Sequence, residues 1–219
     1  MTTGHGLDGV ADAGAFLARL ARLDPAALVR LRPVPEAGRT TLWARLPWAV
    51  LVARTVTGAA PGDVTVAAGE LLAELAAGGA ALPRRRDDGW RWPLPPPVGR
   101  AVEMLPAEEV RRIAAAAAGT LREAVTHGVS GRAVGQRALR DALLDHVAVV
   151  VTPDSAPDVP VEVPQRLVQG LVRMGFLGAG DVQVRVAGHW VGLIGPYGAA
   201  WSRKVAELSL TPVIAHPNG

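Results

Sequence analysis

The sequence predicts an α+β fold. A small antiparallel sheet with helices is expected in the N-terminal part, and a helical hairpin followed by a helix and a β-hairpin, an order that suits a winged helix, in the C-terminal part. Three observations predict it. Apolar spacing switches repeatedly between helical and alternating periods along 219 residues. With 49% hydrophobic residues the chain can bury a substantial core. The stretch RRRDDGWRWPLPPPVGR, residues 84–100, separates two patterned regions, so the expected division is 1–83, a Trp/Pro-rich connector at 84–100, and 101–219.

Phe16, Leu17, Leu20 and Leu23 recur at helical spacing with Arg19 and Arg22 outside, giving an amphipathic helix over 11–23. Beyond Asp24 and Pro25, Val29 and Leu31 alternate with Arg30 and Arg32 as in a half-buried strand. The run 40–56 is rich in aromatic and β-branched residues and is split by Pro47 into an edge segment and a buried strand. A short strand or turn at DVTV leads into an alanine-rich helix over 67–77, stopped by Gly78 and Gly79.

In the second part, Pro106 and the acids Glu108 and Glu109 open the clearest helix, 106–127, and Gly128 closes it. Ser130 caps a second helix that runs into the strand VAVVV. TPDSAPDVP is a linker by composition. A helix from Pro164 to about 175 follows, and Val182, Val184 and Val186 alternate with polar residues before HWVGLI returns as a hairpin. The last twenty residues suit either a short helix or a strand, and no repeat at a fixed period is visible.

Composition excludes several chemistries. There is no cysteine, hence no disulfide, thiolate zinc site or cysteine nucleophile. His5, His127, His146, His189 and His216 are dispersed, with no pair at helical metal-ligand spacing, so neither a metal nor another cofactor is expected. Around Ser130, GVSGR lacks the second glycine of a nucleophile elbow, and GLIGPYG lacks a phosphate-binding lysine. Asp141 and Asp145 share one helical face, but such pairs usually mark a solvated surface. With no acid, base and nucleophile set in view, an enzyme is not expected. The N-terminus shows no secretory signal and no apolar run is long enough to span a bilayer, so a soluble cytoplasmic protein without membrane contact is expected.

The net charge is only +3, and arginine almost wholly replaces lysine, which occurs once as Lys204. The basic excess is local: between Arg111 and Arg140 stand six arginines and one acid, Glu123. Two helices joined by a glycine-containing turn have the spacing of a helix-turn-helix unit. In the leading reading the protein is a non-enzymatic DNA-binding or regulatory protein. Arg132, Gln136, Arg137 and Arg140 would read or grip duplex DNA, Arg111 and Arg122 would meet phosphates, and Arg185 would lie on a wing. The same spacing also describes an ordinary αα-hairpin.

The alternative is an interaction or scaffold protein without nucleic-acid binding, anchored by its tryptophans and able to self-associate, in which Trp90 and Trp92 offer a partner surface. In the connector, Asp87 and Asp88 beside Arg84, Arg85 and Arg86 disfavour contact with phosphates.

Overall fold

The computed structural model describes residues 4–127, 136–152 and 160–203. Its framework is one eight-stranded antiparallel sheet to which both halves of the chain contribute four strands each. The first half supplies α1 (Val10–Leu23), β1 (Leu28–Val34), β2 (Arg39–Arg45), β3 (Leu51–Thr57), β4 (Val64–Ala67) and α2 (Ala68–Ala76). The second supplies β5 (Arg100–Leu105), α3 (Ala107–His127), α4 (Gln136–Asp145), β6 (Val147–Val151), β7 (Val161–Pro164), α5 (Gln165–Arg173), β8 (Val182–Ala187), β9 (Trp190–Gly195) and β10 (Gly198–Arg203).

Strand order across the sheet is β4-β1-β2-β3-β10-β9-β8-β5, while β6 and β7 form a separate antiparallel pair. The halves meet where Leu51 faces Trp201, Val52 faces Ala200 and Ala53 faces Ala199. Alternation gives the sheet two apolar faces. Val29, Leu31, Leu42, Val52, Val184 and Leu193 point into the main core beneath α1, α2, α3 and α5. Within it the Phe16 and Phe176 rings stack with centroids 6.3 Å apart. Close approach of α5 to the sheet needs Gly170, where a Cβ would stand 3.0 Å from Val50 Cγ1.

The expected small N-terminal sheet is therefore corrected: β1–β4 are half of a larger sheet, because the β3 edge is paired by β10 instead of being left open. The winged-helix arrangement is corrected as well. The β8–β9 hairpin lies between β5 and β10, with neighbours on both sides, and has no free flank to serve as a wing.

The backbone contains a duplication that residue identities conceal. Val10 and Ala107 begin α1 and α3, Val64 and Val161 begin β4 and β7, and Ala68 and Gln165 begin α2 and α5. Gly78 and Gly175 then close α2 and α5 with φ of 69° and 68°. Each pair is separated by the same length of chain. The β1–β4 pairing of Leu28 with Ala67 has its counterpart in the β6–β7 pairing of Val147 with Pro164.

The two units differ in what surrounds this common frame. In the second, α3 is 21 residues long against 14 for α1, and α4 stands in the stretch that holds β2 and β3 in the first. In the first, the connector stands where β8–β10 follow α5 in the second.

The connector also closes one sheet edge. The Arg86 N–H donates to Thr65 O at 2.7 Å, and the Thr65 N–H donates to Asp87 Oδ1 at 2.7 Å, so β4 is capped on its outer side. At the other edge β5 carries a bulge between Ala101 and Glu103. Among the described residues no helix is long and apolar enough to cross a membrane.

Candidate functional site

On the face away from the helices, the pairing of β2, β3, β10 and β9 lines up Trp43, Ala53, Ala199 and Ile194 in one row, and Leu51, Trp201 and Gly192 in the next. Gly192 is required there: a Cβ would stand 2.5 Å from Cε3 and 2.6 Å from Cζ3 of the Trp201 indole, which lies across it. Leu51, Ala187, Trp190 and Trp201 form a second apolar cluster, and Trp43, Trp90 and Leu94 pack against it. The connector thus crosses the outer face of the sheet, held by its own tryptophan and leucine.

Electrostatics hold the connector in place. Asp63 receives two hydrogen bonds from Arg30, at 2.6 and 2.7 Å, and Arg30 lies 5.8 Å from the Trp90 ring centroid. That pairing holds the Asp63 carboxyl below its usual range and raises the Arg30 guanidinium. Asp87 is lowered chiefly by the Thr65 N–H, then by Arg85. Arg45 stacks 3.8 Å from the Trp92 centroid, and burial lowers its guanidinium. The Trp90 indole N–H donates to Trp92 O at 2.6 Å.

Beside the connector a groove of about 490 Å³ runs over the junction of the two halves. Its walls include Trp43, Trp201, Tyr197 and the proline run 95–97, with Arg39 at the margin. Tyr197 is 50% exposed and Trp92 is 45% exposed. Arg54 stiffens the Tyr197 wall by donating to Asp12 Oδ1 at 2.5 Å and to Tyr197 O at 3.2 Å. Arg39 has no ion-pair partner among the described residues.

A second concavity, of about 550 Å³, opens in the helical layer between α1, α3, α4 and α5. Arg22, Arg137, Arg140 and Arg173 line it together with Asp141, and Leu23, Trp48 and Leu144 are among its apolar lining residues. Trp48 is fixed by its indole N–H donating to Arg166 O and by Arg166 donating back to Trp48 O, both at 3.3 Å. Arg166 also pairs with Asp145, which leaves Asp141 and Asp145 with different surroundings.

Of the residues expected to hold DNA, the structure brings together Arg137 and Arg140 at this cleft. Gln136 opens α4, and Arg132 lies outside the described residues. Arg111 pairs with Glu108 and donates to Gly178 O at 2.5 Å, tying α3 to the segment after α5. Arg122 donates to Ala118 O in its own helix. Arg185 is half-buried on β8 and donates to Gly99 O at 2.5 Å. It braces the connector's end and stands on no wing.

Sequence reading passed over Tyr197, Arg39, Arg22, Gln165 and Arg173. The available signals were that Tyr197 is the chain's sole tyrosine, in a glycine-rich turn, and that Gln165 stands at the start of an otherwise apolar helix face. Among the described residues no three His, Asp or Glu side chains gather as a metal site would require.

Residues 94–207 match the family model described as "Domain of unknown function (DUF8185)", and residues 6–92 match one described as "Domain of unknown function (DUF8010)". No curated protein matches the chain. Its fold is similar to that of the DNA polymerase III subunit beta of Pseudomonas aeruginosa: TM-score 0.55, 15% identity, over 90% of this chain and 63% of that one. The sliding clamp of Bartonella birtlesii bound to griselimycin gives TM-score 0.54 at 15% identity, over 97% and 67% of the two chains. The DNA polymerase sliding clamp of Caulobacter crescentus gives 0.51 at 12%, over 96% and 68%. The chain thus spans about two thirds of the length of these proteins. At such identities the likeness is one of fold, and it replaces the small-sheet, winged-helix arrangement with a sliding-clamp fold. The helix-turn-helix regulator loses its structural basis with it, since α3 and α4 pack on each other and on α5 in the helical layer of this chain.

Proposed function

We propose that this chain, which belongs to the family described as a domain of unknown function (DUF8185), is an interaction scaffold of the sliding-clamp fold that docks an extended segment of a partner protein on its outer face. The observation that carries the reading is the groove beside the connector. It offers aromatic and proline walls in which Tyr197 is held by Arg54 and Trp201 lies across Gly192, so little conformational entropy is lost on docking. The occupant that fits is an extended peptide with an apolar anchor for the Trp43, Trp201 and Tyr197 walls, followed by an acidic residue for Arg39.

The similar structures are polymerase sliding clamps by name, and duplex DNA and a second copy of the chain are the other partners to weigh. Gripping of phosphates is the weaker reading: the net charge is +3, and α2 in the helical layer carries Glu70 and Glu74 with no basic residue.

The test is selection of a random peptide library displayed on phage against the whole chain, followed by calorimetry on the selected peptides. Peptides combining an apolar anchor with an acidic residue should bind, and should lose at least tenfold in affinity with Tyr197→Ala and with Arg39→Ala. Random duplex DNA measured by fluorescence anisotropy should bind weakly at low salt and not at physiological salt. Peptides indifferent to both substitutions would overturn the reading. So would duplex DNA bound tightly at physiological salt with no peptide selected.

A further inference from the structure

The two-unit frame singles out a residue that the fold does not need. Ala68 and Gln165 occupy the same place, the first residue of the helix that follows β4 or β7, and both are buried, 1% and 3% exposed. In the first unit a methyl group fills the position. In the second there is a carboxamide whose Nε2 has no hydrogen-bond partner among the described residues. A buried amide donor left unpaired is costly, so its retention points to a ligand acceptor.

The space it lines is the helical-layer cleft. One wall is α4, which stands where the first unit has β2 and β3, and it brings Arg137 and Arg140. Arg22 from α1 and Arg173 from α5 complete a set of four guanidinium groups facing one carboxylate, Asp141. None of the four forms an ion pair with a described residue. Leu23, Trp48 and Leu144 add apolar lining to the same cleft. The cleft's volume is that of a small-molecule site, and a single anionic head on a compact apolar body matches its charge and lining together.

We propose that this cleft binds a small organic anion, a phosphate monoester or carboxylate with an aromatic or aliphatic body. Its head group is held by Arg137, Arg140 and the Gln165 amide, and its body lies on Leu23, Trp48 and Leu144. The site is separate from the outer-face groove and stands or falls independently of it.

The probe is 2-naphthyl phosphate, titrated calorimetrically into the whole chain beside 2-naphthol, inorganic phosphate and a short duplex DNA as competitor. 2-Naphthyl phosphate should bind at least tenfold more tightly than either 2-naphthol or inorganic phosphate, and duplex DNA should not displace it. The Arg137→Ala, Arg140→Ala double variant should lose at least tenfold. Gln165→Met should lose severalfold while its thermal midpoint shows that it remains folded. Arg85→Ala, on the connector, serves as the control and should bind as the parent chain does. Equal binding of 2-naphthol, indifference to the arginine variants, no heat at millimolar probe, or displacement by duplex DNA would each overturn the proposal, the last assigning these arginines to a nucleic-acid backbone.

Discussion

Replacing Gln165 with methionine should stabilise the protein. The side chain is 3% exposed and its Nε2 lacks an acceptor among the described residues, so the folded state bears the desolvation of an amide donor without the compensating bond. That penalty is about 1–3 kcal/mol for a neutral group. Methionine has a similar length, no branch at Cβ and a comparable helix propensity, so it can follow the same path at the start of α5 without a cavity or a clash. Some of the penalty persists as imperfect packing, leaving a net gain of about 1–2 kcal/mol. For a chain of this size each kcal/mol moves the midpoint by roughly 2–4 °C, giving a rise of roughly 2–8 °C. Differential scanning calorimetry without ligand reads it directly. Because Ala68 is the structural counterpart, the reciprocal Ala68→Gln should lower the midpoint by a similar or larger amount, a bulky amide entering a site that is 1% exposed. A lower midpoint for Gln165→Met would refute the reasoning, showing that the amide stabilises the fold.

Gly192→Ala should cost about 1–3 kcal/mol, since the new methyl meets the Trp201 ring at 2.5 Å and displaces it from the second apolar cluster; urea denaturation and near-ultraviolet circular dichroism would register the loss. Asp87→Ala removes the acceptor of the Thr65 N–H and uncaps β4; it should lower stability by about 1 kcal/mol and promote self-association by edge pairing, visible in sedimentation velocity, and a variant that stays as monodisperse as the parent would contradict the edge argument. Acid should loosen the connector. Asp63 and Asp87 are both lowered from the ordinary 3.8 in the folded state, so their contribution is present above about pH 4 and is lost as pH falls through their folded values. Tryptophan fluorescence between pH 5 and pH 2 should report this release, and Asp63→Asn with Asp87→Asn should remove that part of the pH dependence; an unchanged acid profile in the double variant would assign the transition elsewhere.

Some features were legible in the residues because they depend on local chemistry. The apolar stripe of Phe16, Leu17 and Leu20, the Pro106 and Glu108–Glu109 opening of α3, the break at Pro47 and the β8–β9 alternation follow from periodicity and backbone preference, and each element stands close to where the spacing predicts it. Identifying the strands did not identify their neighbours. Every strand paired with a sequence-adjacent partner can be guessed from its turn, but the β3–β10 pairing joins Ala53 to Ala199 across most of the chain, and nothing local encodes it. That single pairing converts two four-stranded halves into one sheet, and the β5–β8 pairing, also long-range, removes the free flank a wing would need.

The duplication was hidden for a related reason. The units share a hydrophobic and conformational pattern, with Val64 matching Val161 and Gly78 matching Gly175, while the side chains at matched positions differ, as Ala68 and Gln165 do. The site residues divide along the same line. Arg137 and Arg140 were singled out by local charge density, yet their company, Arg22 from the end of α1 and Arg173 from α5, is assembled from helices remote in sequence. Arg111, Arg122 and Arg185 had the same charge and the same sequence rationale, but they stand apart from this cleft and donate to Gly178, Ala118 and Gly99. By itself the sequence determined most of the elements, though not β5, β7 or β10, together with the absence of cysteine chemistry and the tryptophan-rich connector, because these rest on residue type and short-range spacing. Only the tertiary structure decided which edges pair, which arginines share a cleft and that Gln165 is a buried donor without a partner, because each depends on distances between segments that the chain brings together only on folding.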